Sequence, residues 1–290
     1  MRQNKLWLLM AALVVCTTSC MVNAVNIYLN SATGVDNNSC LTSDEACRSL
    51  ARASAVALSA ATNSTISLYM AGSFSSEDPV IFPNANALVI SSYAQLPALL
   101  ICSTTDQPIV NIDTVTNSVS IIGVSFSNCT NTSAIVIQNA GAVLLSDVRS
   151  VGSAVTVRSL NGSLYLANCE MSGVGAYTDA GAVSVGDGGG IVDAYVYNST
   201  IANYVTSRGA LTLVNVSSVT VINSTLYNNT AVPLPAVAGY DAQCGGAGVW
   251  ALLNAHAEVS VVITNSSMIG NSALCAAQQT AADIGPGGGG

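Results

Sequence analysis

The acidic residues between positions 179 and 193 form the densest polar set of the chain. Asp179, Asp187 and Asp193 precede Arg208, and carboxylates with a nearby arginine could bind calcium or transfer a proton. Asp179 and Asp187 stand beside glycine and alanine, however, in segments typical of turns, where aspartate is common. We therefore expect the set to be structural rather than catalytic or calcium-binding.

Few other residues suggest chemistry. His256 is the only histidine and lies in a strand-like segment, so we expect it to be structural. Tyr195 and Tyr197 share one strand face and could stack on sugar rings, although tyrosine is also simply a good strand former. The sequence contains no CxxC motif and no His/Cys cluster with zinc-ligand spacing. We predict no catalytic residue, no metal site and no cofactor.

The composition excludes several partners. The chain is 50% hydrophobic and 8% charged, with a formal net charge of −8, and its only lysine is Lys5 near the N-terminus. An acidic surface without lysine argues against nucleic acids and anionic membranes as partners. No apolar run long enough to span a membrane follows the N-terminus, so no mature transmembrane helix is expected. The expected partner is an unidentified surface protein or a polysaccharide.

The N-terminal segment is typical of a secretion signal. Arg2 and Lys5 precede an apolar run over residues 6–15, and residues 22–24 form an acceptable cleavage site. We predict a signal peptide over residues 1–24 and an extracellular or cell-surface location. An N-terminal anchor helix is one alternative. A lipoprotein is another, because two cysteines lie nearby: Cys16 and Cys20.

Export permits disulfides and N-linked glycans. We expect possible disulfides Cys40–Cys47 and Cys244–Cys275, with one cysteine left over because the number of mature cysteines is odd. The favoured glycan acceptors among the N-x-S/T sequons are Asn37, Asn63, Asn161, Asn215 and Asn228.

A repeated pattern organises the chain. Two alternating apolar residues lead to an asparagine, and a third apolar residue follows three positions later. This pattern occurs at Val219, Val221, Asn223 and Leu226, and again at Val261, Ile263, Asn265 and Met268. Six such rows place one position at Gly123, Asp147, Asn168, Asn198, Asn223 and Asn265. A repeat of this length predicts a solenoid.

Alternation along a strand predicts where the asparagines point. If Val219 and Val221 face inward, then Asn223 does too. Asn168, Asn198, Asn223 and Asn265 would then form a structural ladder of stacked, hydrogen-bonded amides. A glycan could not fit there, so we expect the sequons at Asn198, Asn223 and Asn265 to be unoccupied.

The N-terminal segment and the repeats resemble a known fold. A strand at residues 26–29 is followed by the cysteine loop 36–47 and by an amphipathic helix over residues 46–61, whose start is predicted after Thr42 from the capping-box spacing of Thr42 and Glu45. This order resembles the beginning of secreted right-handed parallel β-helix proteins of the pectin-lyase-like fold. The segments 188–191, 226–229, 245–249 and 268–271 are similar to repeats of the chlamydial polymorphic outer-membrane proteins.

The predicted fold is therefore all-β, a right-handed parallel β-helix (solenoid) with an N-terminal amphipathic capping helix. Residues 25–64 are expected to form the strand, loop and helix, and residues 65–290 the coils, with further coils missing at the C-terminus. A short globular sandwich is the structural alternative. The repeat and the acidic loops favour a secreted or surface-displayed structural or adhesive rod. The resemblance implies the alternative, a polysaccharide-active enzyme or a carbohydrate-binding module. The N-x-D, D-D and G-H-G motifs of polygalacturonases are absent, which favours the rod.

Overall fold

The computed structural model describes residues 23–60, 63–75, 79–93, 97–102, 107–129, 132–174, 177–178, 181–186, 192–207, 209–232, 247–252 and 260–273. These residues are mostly β-structure, with a single helix among them. The strands that pair do so in parallel, in a 21-stranded and a 4-stranded sheet. Residues 1–22 of the predicted signal peptide lie outside the described residues, whereas Ala24, its predicted last residue, already pairs with Thr65 in a β-strand.

The first part of the chain has one helix and seven strands. In order, they are β1 (Ala24–Asn30), α1 (Leu50–Leu58), β2 (Thr65–Ser75), β3 (Val80–Phe82), β4 (Ala85–Ser92), β5 (Ala98–Ile101), β6 (Val110–Ile122) and β7 (Val124–Cys129). The strand predicted at residues 26–29 is confirmed and lies within β1.

The remaining strands are short and recur in the same order. They are β8 (Ile135–Ser146), β9 (Arg149–Gly152), β10 (Val155–Leu160), β11 (Ser163–Ala167), β12 (Glu170–Ser172), β13 (Tyr177–Thr178), β14 (Val183–Val185), β15 (Val192–Tyr197), β16 (Thr200–Ala202), β17 (Val205–Thr206), β18 (Leu211–Val214), β19 (Val216–Ile222), β20 (Thr225–Tyr227), β21 (Thr230–Ala231), β22 (Val249–Leu252), β23 (Ser260–Thr264), β24 (Ser267–Ile269) and β25 (Ser272–Ala273).

Each coil pairs with the coil before it and the coil after it. One column of opposed residues passes through nine strands: Ile27, Leu68, Ile90, Ile121, Leu145, Leu166, Val196, Val221 and Ile263. We call it the core column. Parallel strands at this sequence separation are consistent with a parallel β-solenoid, and the register predicted from the six sequence rows is confirmed.

The core follows from alternation along each strand. Val219, Val221 and Leu226 are at most 3% exposed, whereas the alternating residues Thr220 and Ile222 are half-buried. Buried apolar residues of successive strands build one continuous apolar cluster from Ile27 to Leu226. Burial of one such side chain contributes roughly 1.5 to 3 kcal/mol, so the stacked apolar rows are the main source of stability.

The edge of β1 is covered by the cysteine loop. The amide of Tyr28 donates to the carbonyl of Cys40 (2.8 Å), and the amide of Cys47 donates to the carbonyl of Tyr28 (2.9 Å). The helix α1 adds to this cover, because Leu50, Ala53 and Ala57 are buried and the helix packs on β1 and β3. An uncovered strand edge would pair with other chains, so both parts protect this end of the sheet.

The predicted start of the helix after Thr42 is wrong. The helix begins at Leu50, with Ser49 as its N-cap residue accepting a hydrogen bond from the amide of Arg52 (3.2 Å). Asp36 Oδ1 accepts from the amides of Arg48 and Ser49, both at 2.9 Å. Residues 42–45 form only a local turn, because the neighbouring Cys47 is held in the pairing with Tyr28.

Two disulfides link described residues. The first, Cys40–Cys47, is the expected pair in the loop that covers β1. The second, Cys102–Cys129, joins residues 27 positions apart whose Cα atoms lie 5.1 Å apart in neighbouring coils. Cys169 is free and buried, and the pair proposed for Cys244 and Cys275 lies outside the described residues.

We predict that replacing Cys102 and Cys129 together by serine lowers the free energy of unfolding by roughly 3 to 4 kcal/mol, because the bond closes a loop of 27 residues. Chemical unfolding followed by circular dichroism measures the change. Cys169→Ser is the control and should change stability much less, because Ser199 and Ser224 occupy the corresponding buried position in the next coils. Equal unfolding midpoints for the wild type and the double variant would contradict the prediction.

Candidate functional site

The asparagines of the repeat lie at a turn. Gly123, Asp147, Asn168, Asn198, Asn223 and Asn265 all adopt positive φ angles, between 47° and 66°. We call this column the turn ridge. Asparagine, aspartate and glycine are the residues that most readily adopt this left-handed conformation, which accounts for the composition of the column.

The inward orientation predicted for the ridge asparagines is wrong. Asn198 and Asn265 are exposed, and Asn168 and Asn223 are half-buried. The prediction extended strand alternation one step too far, because β19 ends at Ile222 and the left-handed residue that follows reverses which side chain faces inward. The buried position is therefore the next residue, Ser224.

Part of the ridge still forms an amide ladder, but at the surface. Asn198 Nδ2 donates to Asn168 Oδ1 (2.8 Å), and Asn168 Nδ2 donates to Asp147 Oδ1 (3.1 Å). These bonds join three consecutive coils. Because solvent competes for such groups, their contribution is modest, and the left-handed turn itself is the main reason for asparagine here.

The buried ladder beneath the ridge is made of serines. Ser199 Oγ accepts from the amide of Cys169 (3.0 Å), and Ser224 Oγ accepts from the amide of Ser199 (3.1 Å). Ser266 Oγ accepts from the amide of Ser224 in the same way (3.1 Å). Each hydroxyl also donates to a carbonyl two residues back, so the buried polar atoms are satisfied.

An inward asparagine ladder does exist, at the next turn along the chain, after β20. Asn229 is fully buried, and its Oδ1 accepts from the amide of Tyr204 (3.1 Å). Asn229 Nδ2 donates to the carbonyl of Ile201 (3.1 Å) and to Asn271 Oδ1 (2.9 Å). The signal for it was present in the segments 226–229 and 268–271, since both end on these asparagines.

We predict that Asn229→Leu lowers the free energy of unfolding by roughly 2 to 5 kcal/mol, because it leaves the buried Tyr204 amide and Ile201 carbonyl without these bonds. The matched control is Asn228→Gly, which replaces an exposed residue of φ 51° by one that accepts this conformation. Thermal or chemical unfolding of both variants gives the comparison. Equal decreases in the free energy of unfolding for the two variants would contradict a stabilising role of the buried Asn229 amide.

The outer face of the sheet carries a pair of tyrosines. Tyr165 on β11 and Tyr195 on β15 are opposed in register, with ring centroids 4.9 Å apart and planes inclined by 6°. Each ring covers one face of the other, so the pair presents less flat aromatic surface than two separate rings would. Tyr197 also lies on this face, as predicted, because it alternates with the buried Val196.

Asp193 lies on the same strand as Tyr195. Its Oδ1 accepts hydrogen bonds from Ser217 Oγ (2.6 Å) and Ser218 Oγ (2.7 Å). These hydroxyls lower the pKa of the Asp193 carboxyl, and partial burial with the Asp193 charge raises the pKa of Tyr195. The face therefore combines an ionised carboxylate, two serine hydroxyls and a stacked tyrosine pair at neutral pH.

The polar set predicted around positions 179–208 is not assembled by the described residues. Asp193 is described, but Asp179, Asp187 and Arg208, together with His256, lie outside the described part of the chain. Where the structure is described, no group of three His, Cys, Asp or Glu residues could hold a metal ion. Within the same residues, no helix is long and apolar enough to cross a membrane.

A shallow groove of about 400 Å³ lies near the N-terminal turn of the stack. It is lined by Asn30, Ala32, Ala71, Gly72, Ser73, Pro97, Leu99 and Ser125. Asn30 Oδ1 already accepts hydrogen bonds from the amides of Ala32 and Thr33, both at 3.0 Å. The groove is mostly apolar and offers little to orient a polar ligand.

Comparison with protein-family models, curated proteins and solved structures finds no match to the chain. The resemblances to the pectin-lyase-like fold and to chlamydial repeats therefore rest on the residues quoted above. The structure defines the class as a mostly β protein whose paired strands are all parallel and in register.

Proposed function

We propose that this chain is a secreted or cell-surface right-handed parallel β-solenoid that serves as a structural or adhesive rod. The observation that carries the proposal is the core column, in which nine successive strands stack in register. At about 4.8 Å per strand, eight spacings give a stack of roughly 40 Å. A continuous core along this length supports a rigid element that displays its outer faces.

Two further observations support export and display. Cys40–Cys47 and Cys102–Cys129 require an oxidising environment, which agrees with the predicted signal peptide. Most exposed sequon asparagines lie in turns and loops rather than in strands: Asn37, Asn63, Asn161, Asn198, Asn228 and Asn265. Glycans at turns would leave the sheet faces free for a partner.

The predicted chlamydial-type repeat and the expected partner, a surface protein or polysaccharide, belong to this proposal. A rod built from equivalent coils presents similar backbone geometry at many levels, so binding depends on the outward residues of particular coils. The turn residues and the core column have structural roles, which leaves the outward strand positions for recognition.

We predict that deletion of residues 183–210, one coil in register, yields a folded and slightly shorter protein. Ala182 and Ala210 are equivalent, since the amide of Ala182 donates to the carbonyl of Ala210 and Val183 opposes Leu211. Small-angle scattering should give an unchanged cross-section and a length reduced by about 5 Å. Circular dichroism should retain the β-signal.

The control for this experiment deletes residues 183–211, one residue more. The extra residue shifts the alternation of the rejoined strand, so apolar and polar faces exchange and the protein should fail to fold. If neither deletion variant folds, the solenoid is contradicted. A globular sandwich would give this result, because it contains no repeated coil that can be removed.

A second function has one specific observation in its favour. The ionised Asp193 beside Tyr165 and Tyr195 could hydrogen-bond sugar hydroxyls and contact a sugar ring, as a carbohydrate-binding module or polysaccharide-active enzyme would. Catalysis by paired carboxylates would need a second carboxylate at a defined distance from Asp193.

Incubation of the full chain with pectin, alginate and other acidic polysaccharides tests this second function. We expect no new reducing ends and no unsaturated products, with any binding weakened at least fivefold by Asp193→Asn. Ser184→Ala, an outward substitution on β14, is the control and should leave such binding unchanged. Polysaccharide cleavage that Asp193→Asn abolishes would contradict the structural role and show that the protein is an enzyme.

A further inference from the structure

The turn ridge carries sequons whose three positions have separate structural roles. In the segment 198–200, Asn198 forms the left-handed turn, Ser199 is buried in the serine ladder and Thr200 begins β16 with an outward, half-buried side chain. The segments 223–225 and 265–267 repeat this arrangement in the next two coils. The fold alone therefore accounts for the sequons, but it also places their amides outside the core.

Accessibility differs along the ridge. Asn198 is exposed, whereas Asn223 is half-buried. Asn265 follows β23 at the last described level of the stack, where even the core-column residue Ile263 is exposed. Asn198 Nδ2 uses one hydrogen in the bond to Asn168 Oδ1, which leaves its second hydrogen position for a substituent. Asn198 has Asn223 on one side and Asn168 on the other. Asn168 is not part of a sequon, so it does not compete with Asn198 for a glycan.

Spacing limits how many of these amides can be modified together. Neighbouring coils lie about 4.8 Å apart, and alternate coils about 10 Å. An N-linked oligosaccharide is bulky, so two on adjacent turns of the ridge would collide, whereas two on alternate turns have room. Asn223 has a sequon on both sides, and its side chain is less accessible than that of Asn198.

We propose that the turn ridge is an N-glycosylation site in which Asn198 and Asn265 carry oligosaccharides and Asn223 does not. The donor is an oligosaccharide linked to a lipid diphosphate. The Asn Nδ2 forms a bond to the anomeric carbon, the bond from that carbon to the diphosphate oxygen breaks with its electron pair, and the amide proton is released. The proposal rests on the secretion part of the proposed function and not on adhesion.

The test expresses the full chain in a secretory eukaryotic cell and maps occupancy by mass spectrometry. Peptide N-glycosidase in H₂¹⁸O marks each occupied asparagine as ¹⁸O-aspartate. The exposed loop residue Asn37 is the positive control for entry into the glycosylation machinery. We expect occupancy at Asn198 and Asn265 to exceed that at Asn223 at least fivefold.

Two variants separate crowding from other causes without altering the turn asparagines. Thr200→Val with Ser267→Ala removes the flanking sequons and should raise occupancy at Asn223 at least threefold. Thr225→Val removes only the central sequon and should leave Asn198 and Asn265 unchanged. Both Thr→Val changes keep a β-branched residue at a strand position.

The outcomes distinguish the inference from the proposed function. A glycan at Asn37 with none at Asn198 or Asn265 overturns the ridge proposal and leaves secretion intact. Occupancy of Asn223 together with either neighbour on one molecule, seen in large limited-digest fragments, overturns the exclusion between adjacent coils. A chain without glycan at any sequon overturns the proposal together with the secretion on which it rests.

Discussion

The whole structure depends on the register between parallel strands of successive coils. Because side chains alternate along a strand, a fixed register places the same face inward at every level, and one continuous core results. Ile121, Leu145 and Leu166 oppose one another in this way although loops of different lengths separate them. Loop length can vary as long as each strand returns to its column, which is why the turns, not the loops, carry the repeated residues.

The left-handed residue of the turn ridge reverses this alternation. It allows the chain to turn a corner between β19 and β20 and brings Ser224, not Asn223, into the core. The buried serines and Asn229 then satisfy backbone groups that the corners would leave without partners. Ser199, Ser224 and Asn229 are therefore buried corner residues.

The sequence predicts the strands and their register well, because the apolar period recurs in six rows. The prediction from sequence fails where the backbone conformation of a single residue decides which side chain faces inward. Nothing in the alternation shows that Asn223 has φ 50°, although its recurring asparagine, aspartate and glycine could have suggested it. Asn229 as the inward amide and the Cys102–Cys129 bond depend on which coils are neighbours, so neither follows from spacing along the chain.

Distances between spin labels test the stacked coils most directly. Ser67, Leu144 and Thr220 occupy one outward column, with three coil steps from the first to the second and three from the second to the third. Stacked coils predict two equal distances of about 14 Å between adjacent labels and one of about 29 Å between Ser67 and Thr220, apart from the length of the labels. A Ser67–Thr220 distance shorter than either of the other two would contradict the stack, because the chain would then fold back on itself.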